Sequence, residues 1–402
     1  MIPFSAPRID QLIIDEVTHT LRSRWIGTGP KTKLFEKKLS EYYGAKATLC
    51  LNSATAGLET MLRWYGVGAG DEVILSAYTF AATANVIIHC GATPVFVDVE
   101  DDFNIAPQKI AAAITPKTKV IIPVDFAGFP ANYKEIYEVV NTAKNTFTPT
   151  NLTQEVLGRI LVISDSAHAL GASYNGIKIG SQADAMVFSF HASKNLTTAE
   201  GGAIALNLPE PFDNEATYKT LCIQTLHGQT KDAYAKALQN SWKYDVVEAG
   251  YKFNMPDLAA SIGLVELARY DTEMLPKRKQ IFDFYTEYFQ GFDWAQLPVV
   301  KTTQSETSYH IYALRIKGIT EAQRDEITQR IIAAGVLVNV HFMPVPALTY
   351  YKNLGYNVAD YPVAYDNYSR EISLPVFYDL TEEQMQTVAR VVVNCVEQIV
   401  TP

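Results

Sequence analysis

The chain of 402 residues has few cysteines, no long apolar run and a deficit of positive charge. Each scarcity removes a class of function. Cys50, Cys90, Cys222 and Cys395 lie far apart, with none of the short paired spacings that bind zinc or run thiol–disulfide exchange. They read as reduced core thiols of a cytoplasmic protein. No stretch approaches the roughly 20 apolar residues of a membrane span. The opening "MIPFSAPRIDQL" places prolines and charges where a secretory signal is continuously apolar. The expectation is a soluble protein without a membrane partner. Lys and Arg number 34 against 43 Asp and Glu, a net charge of −9, which disfavours nucleic acid and anionic lipid as partners. No P-loop pattern, internal repeat or low-complexity tract is present, so a nucleoside triphosphate is not implied.

What is present is a globular composition, 48% hydrophobic and 19% charged, on a chain long enough for two domains. Between residues 45 and 206, short apolar runs alternate with helical patterns. The strand candidates are "ATLCL" (47–51), "DEVILS" (71–76), "TPVFVDV" (93–99), "KVIIPV" (119–124), "ILVISD" (160–165), "AMVFSF" (185–190) and "GAIAL" (202–206). Most are continuously apolar, as in a sheet covered on both faces. Helical segments such as "SATAGLETMLRWYG" end at glycine, a common stop. The pattern predicts an α/β fold with a mainly parallel seven-stranded sheet.

Residues 141–159, polar and rich in Thr and Asn, read as an insertion loop. From about 256 the composition changes to a long helix or helix pair, with Pro256 suited to the first turn. "HIYALRI", a helix over 320–335, "VLVNVHF", "EISLPVF" and a final helix opening at Thr381 follow. There "TEEQ" fits a capping box. The expected division is a large unit over 1–255 and a smaller C-terminal α/β unit over 256–402.

Three stretches carry chemistry. "NSATAGLE" (52–59) lies between a strand and a helix. Its backbone N–H groups and the Ser53 and Thr55 hydroxyls make an anion site, although taken alone the stretch reads better as simple N-capping by Ser53 or Thr55. "ISDSAHALGA" (163–172) puts Asp165 at the C-terminal end of a buried strand, where ligands of open parallel sheets gather. A buried carboxylate there needs a cationic partner, and a structural ion pair or a helix cap is the plain alternative. His168 follows three residues on, a satisfied polar residue if it faces no ligand. "VFSFHASKNL" supplies Ser189 and Lys194 at the end of the next strand. A partly desolvated lysine at such an edge becomes a carbonyl-directed nucleophile, whereas a solvated one does nothing. His191 has no partner at ligand spacing, so no metal is expected. Jointly these groups, with Phe80 of "AYTFAATAN", suit a flat phosphorylated pyridine: a phosphate cradle, an acid on the ring nitrogen, a lysine for the aldehyde and an aromatic to stack.

The ordered blocks "NSATAGLETML", "GDEVILSAYTFAATANVI", "GATPVFVDVEDDFNI", "DSAHALGASYNG", "FSFHASKNLTTAEGGAI", "GYKFNMPDLAASIGLVEL" and "ISLPVFYDLTEEQ" resemble the DegT/DnrJ/EryC1/StrS family of sugar aminotransferases along nearly the whole chain. The resemblance implies pyridoxal 5′-phosphate on the type I aminotransferase fold, in a homodimer with shared active sites. It gives Lys194 as the lysine that bonds the cofactor and later moves the substrate proton. Asp165 is the acid on the pyridine nitrogen, and His168 the group near the phenolic oxygen. Phe80 is the stacking aromatic, and Ala54, Thr55 and Ser189 are phosphate contacts. Asn254, which from the residues alone reads as a cap for the following helix, is by resemblance a phosphate contact lent by the partner subunit. One branch of the family carries histidine in place of the lysine and dehydrates its substrate, so Lys194 implies transamination. The implied substrates are L-glutamate and a nucleotide-linked keto-sugar, a 4-keto-6-deoxyhexose, with a 3-keto-sugar or a cyclitol as the alternative. A cofactor-binding regulator without turnover is the non-enzyme alternative. It predicts damage to the catalytic pair, yet Lys194 and Asp165 are both present. The 141–159 insertion and "HFMPVPALTYY" (341–351) depart from the family pattern, the second where substrate contacts fall.

Overall fold

A computed structural model describes residues 1–238 and 242–400 of the chain, so the last two residues of the expected 256–402 unit lie outside it. All seven predicted strands form one sheet: β1 (Ala47–Leu51), β2 (Glu72–Ser76), β3 (Thr93–Val97), β4 (Thr118–Ile122), β5 (Leu161–Asp165), β8 (Ala185–Ser189) and β9 (Gly202–Leu206). Two short strands, β6 (Ser173–Tyr174) and β7 (Ile177–Lys178), lie between β5 and β8 in sequence. The sheet order is β1-β9-β8-β5-β4-β2-β3. The inner pairings β8–β5, β5–β4, β4–β2 and β2–β3 are parallel, while β9 runs antiparallel to both β1 and β8. The carboxyl ends of β5 and β8 are therefore adjacent, with Asp165 paired to Val187. Their side chains are buried on both faces, which is why the runs are continuously apolar rather than alternating.

The polar stretch 141–159 is not a plain loop. Asn151 caps a short helix, Leu152–Leu157, by accepting from the Gln154 N–H, and Gly158 ends it in the left-handed region at φ 65°. Asn151 and Gln154 amides both donate to the Tyr65 carbonyl, so this helix ties off the end of the helix Ala54–Trp64. Sequence reading missed it because its polar residues cap and bridge rather than solvate.

Past 256 the expected pair is found: Asp257–Ala268 and Leu275–Phe289, joined by a π-helical turn at Tyr270–Met274. Pro256 is the N-cap residue, one position before the first turn. Asp257 serves another helix. Its carboxylate accepts the N–H groups of Gly29, Lys31 and Thr32, the start of the helix Pro30–Tyr43, which has no cap side chain of its own. A second sheet, β10 (Ala295–Gln296), β12 (Tyr312–Ile316) and β13 (Glu371–Leu374), is antiparallel, and β11 (Ser305–Glu306) joins β6 and β7. A second hydrophobic core runs from Ile281 to Val396 and includes Ile2, which bridges to Val336. "VLVNVHF" forms no regular strand; its pairings are isolated bridges at Val336 and Asn339. Thr381 and Gln384 close the expected capping box on the helix Glu382–Val400.

Candidate active site

A cavity of roughly 340 Å³ opens at the carboxyl ends of the central strands. Ala54, Thr55, Phe80, Asp165, His168, Ser189 and Lys194 all line it, and Asn254 does not. Seven residues spread over 140 positions are thus brought to one place by parallel strands that all end at the same edge.

The floor is the turn from β1 into the helix Ala54–Trp64. Ser53 caps that helix by accepting from the Ala56 N–H at 3.1 Å. The first-turn N–H groups of Ala54 and Thr55 have no intrahelical acceptor, and with the positive end of the helix dipole they form an anion cradle. Capping by Ser53 therefore leaves these N–H groups open to an anion. Gly202 makes this possible: a Cβ there would fall 2.4 Å from both Ala54 N and Ser53 C, so only glycine lets β9 lie flush against the cradle. Ser189, at the end of β8, accepts from the His191 N–H at 3.3 Å.

Asp165 is buried. Its Oδ2 accepts from Thr83 Oγ1 at 2.7 Å and its Oδ1 from the Ala167 N–H at 3.2 Å. Burial raises its pKa, while Thr83, Ala167 and the Lys194 charge oppose the rise. No ion pair engages Asp165 among the described residues, which sets aside the structural salt bridge as its role. Lys194 follows the turn His191–Lys194, in which its N–H donates to the His191 carbonyl and the His191 ring bonds Ser193. His191 is a turn residue, and no cluster that could hold a metal is found among the described residues. The Lys194 ammonium has no hydrogen-bond or ion-pair partner among the described residues. Desolvation lowers its pKa to about 8, with the Asp165 charge pulling the other way.

His168 is held by the tight turn Phe126–Gly128. Ala127 takes φ 55° and donates its N–H to His168 Nδ1 at 3.2 Å. Gly128, at φ 90°, lets Ser308 Oγ reach the His168 carbonyl. Burial and the Lys194 charge keep the pKa of His168 well below its ordinary value. A neutral ring whose Nδ1 accepts must carry its proton on Nε2. His168 is therefore a hydrogen-bond donor in the cavity. Phe80 is 60% exposed, with its ring centroid 5.8 Å from that of Phe342, which in turn stacks on His168.

Asn254 caps nothing. Its Nδ2 donates to Thr28 Oγ1 at 2.6 Å, and it lines outer pockets with Thr28 and Leu226. Sequence reading missed Thr83, whose partner is 82 positions away, and the wall formed by His341 and Phe342. The latter lie in 341–351, the second of the two stretches that depart from the family pattern.

Residues 7–393 match the DegT/DnrJ/EryC1/StrS aminotransferase family. The chain belongs to that family. It is accordingly a pyridoxal-phosphate-dependent aminotransferase. The spore coat polysaccharide biosynthesis protein SpsC of Bacillus subtilis is 37% identical, over 98% of this chain and 97% of its own. Spr1654 of Streptococcus pneumoniae, a candidate sugar aminotransferase solved in its PMP form, superposes with a TM-score of 0.96 at 46% identity, covering 99% of this chain and all of its own. Helicobacter pylori PseC, an aminotransferase of pseudoaminic acid biosynthesis, follows at 29% identity and a TM-score of 0.86, with 99% of both chains covered.

The residues present fit the cofactor. The helix start offers unpartnered N–H groups to a phosphate, Lys194 offers an unpartnered amine to an aldehyde, and Asp165 is a buried carboxylate without a cation.

Proposed function

We propose that this aminotransferase moves the amino group of L-glutamate to a nucleotide-linked keto-sugar, a 4-keto-6-deoxyhexose, in the cytoplasm. The observation that carries the reading is the unpartnered Lys194 amine beside buried Asp165 and the Ala54–Thr55 cradle. The sugar is supported by the relatives, which are named for polysaccharide and pseudoaminic acid biosynthesis. When bound, the cofactor supplies an electron sink that stabilises negative charge at the substrate carbon.

The residues divide the remaining work. Ala54, Thr55 and Ser189 hold the phosphate, and Phe80 stacks on the ring. Asp165 holds a proton on the pyridine nitrogen, since a buried carboxylate next to that nitrogen favours its charged form. His168 Nε2–H donates to the phenolic oxygen. Lys194 Nζ, with a pKa of about 8, is neutral often enough near pH 7 to take a proton from the donor Cα, and charged often enough to return one.

The chain acts as a homodimer, with Asn254 of each protomer reaching the phosphate of its partner and the two units dividing near residue 255. Support for sharing comes from the position of Asn254, half-buried beside Thr28 and outside its own chain's cavity.

The test begins by converting the protein with L-glutamate to its pyridoxamine form. dTDP- and UDP-linked 4-keto-6-deoxyhexoses, 3-keto-sugars and keto-cyclitols are then added one by one. A 4-keto-6-deoxyhexose should restore the pyridoxal absorbance. Restoration by a 3-keto-sugar or cyclitol alone would overturn this choice of substrate.

A further inference from the structure

One wall of the cavity carries a hydrogen-bonded chain that the assignments above leave unused. Glu371 opens β13 fully buried, with no ion pair among the described residues. Its Oε1 meets Ser373 Oγ in a short hydrogen bond, and its Oε2 accepts the His341 N–H at 3.0 Å. Ser373 Oγ meets His341 Nδ1 at 2.8 Å. The Tyr78 hydroxyl, arriving from beyond β2, donates to the His341 carbonyl. The imidazole is thus pinned by its backbone on both sides and by Nδ1. Among the described residues, its remaining nitrogen, Nε2, has as its one hydrogen-bonding contact Asn339 Nδ2 at 3.3 Å. His341 lines the cavity, and Phe4 packs against its ring.

A serine hydroxyl has a single proton to give. With Glu371 ionised, that proton points to the carboxylate, so Nδ1 must donate to Ser373 and Nε2 is a bare acceptor. With Glu371 protonated on Oε1, both bonds through Ser373 reverse. Glu371 donates to Ser373, Ser373 donates to Nδ1, and Nε2 carries the proton. The contact from Asn339 suits the first arrangement.

We propose that Glu371 and Ser373 are positioning residues that set which nitrogen of His341 carries the proton, and that His341 Nε2 contacts an oxygen of the keto-sugar. The second half rests on the sugar reading above. A neutral imidazole with one placed proton complements a hydroxyl or carbonyl oxygen. It is a poor partner for the carboxylates of glutamate, which call for a cation.

The surroundings put the reversal within reach of ordinary pH. Burial pushes the pKa of Glu371 up to about 8 against Ser373, the His341 N–H, Arg324 and Arg315. Arg324, from the helix Glu321–Ala333, donates to the Glu371 carbonyl, and Arg315 lies on β12. Tyr78 and His341 are the other titratable groups that face it. His341 itself stays neutral, because burial and the Lys194 charge lower its pKa to about 3.

The test uses holoenzyme labelled with 15N-histidine, with the His341 signals assigned by their loss in His341→Gln. From pH ~6.5 to ~9.5 the wild-type ring should change tautomer, from Nε2–H to Nδ1–H. In Glu371→Gln the amide donates to Ser373 and accepts from the His341 N–H, as the neutral carboxyl does, so the ring should stay Nε2–H throughout. Stopped-flow absorbance then follows each half-reaction separately, with L-glutamate and with dTDP-4-keto-6-deoxyglucose. Across that pH range the wild type's sugar kcat/KM, relative to that of Glu371→Gln, should shift by about fivefold, the worth of one hydrogen bond. Ser373→Ala should abolish the coupling, and the glutamate half-reaction should not distinguish wild type from Glu371→Gln. A wild-type tautomer that never changes, or a Glu371→Gln sugar profile that tracks wild type, overturns the proposal. If the tautomer changes and glutamate reacts but no dTDP- or UDP-linked keto-sugar does, the relay stands and the sugar contact falls with the substrate reading.

Discussion

Replacing Gly202 with alanine tests whether β9 and the phosphate cradle are built as one unit. The added Cβ would lie 2.4 Å from Ala54 N and Ser53 C, about 1 Å inside ordinary van der Waals contact. Both atoms are backbone, so no side chain can rotate away. Gly202 is also fixed on both sides, paired with Leu51 and with Ser189. Strain of this kind costs about 1–3 kcal/mol. Relief requires the Ser53–Ala54 segment to move, which lengthens the 3.1 Å Ser53 cap and turns the first N–H groups away from the phosphate. Losing a helix N-terminus contact is worth up to about 2 kcal/mol, so cofactor affinity should fall by up to about thirtyfold. Thermal unfolding of the apo-protein and titration with pyridoxal phosphate measure the two effects, with Gly291→Ala, which meets nothing within 4 Å, as control. Wild-type melting and wild-type affinity in Gly202→Ala would refute the coupling.

Asp165→Asn should fold and bind cofactor but lose orders of magnitude in the rate of the glutamate half-reaction; a near-normal single-turnover rate would refute the ring-nitrogen role. In the apo-protein, Lys194 should react with amine-directed acylating reagents half-maximally near pH 8. The sign follows from burial: it favours the neutral amine, so reactivity appears well below the pH at which ordinary lysines react. A midpoint near 10 on peptide mapping would contradict it. Mixed dimers of Lys194→Ala with an impaired Asn254 variant should regain activity approaching one intact site. Verified heterodimers as weak as their parents would rule sharing out.

The seven strands were legible because most are nearly continuous apolar runs buried on both faces, and the end of a run marks a sheet edge. Asp165 and Lys194 stood out for the same reason, as charges where apolar runs stop. The antiparallel course of β9 left no such mark, since strand direction is set by which edge the chain reaches next. The helix at 152–157 was hidden because its caps and bridges use the residues that loops also use. Thr83 and the Glu371–Ser373–His341 chain were invisible for a different reason. Their partners meet only after folding, 82 and about 30 positions apart, and no local spacing encodes that. Asn254 reads as a cap until the fold places its amide on Thr28.

In the proposed mechanism Lys194 is the amine to which the cofactor is bonded. Borohydride reduction of purified holoenzyme, followed by peptide mapping, tests it directly. Loss of the pyridoxal absorbance and a single phosphopyridoxyl label on Lys194 are expected. A label on any other lysine, or full turnover by Lys194→Ala, would contradict it.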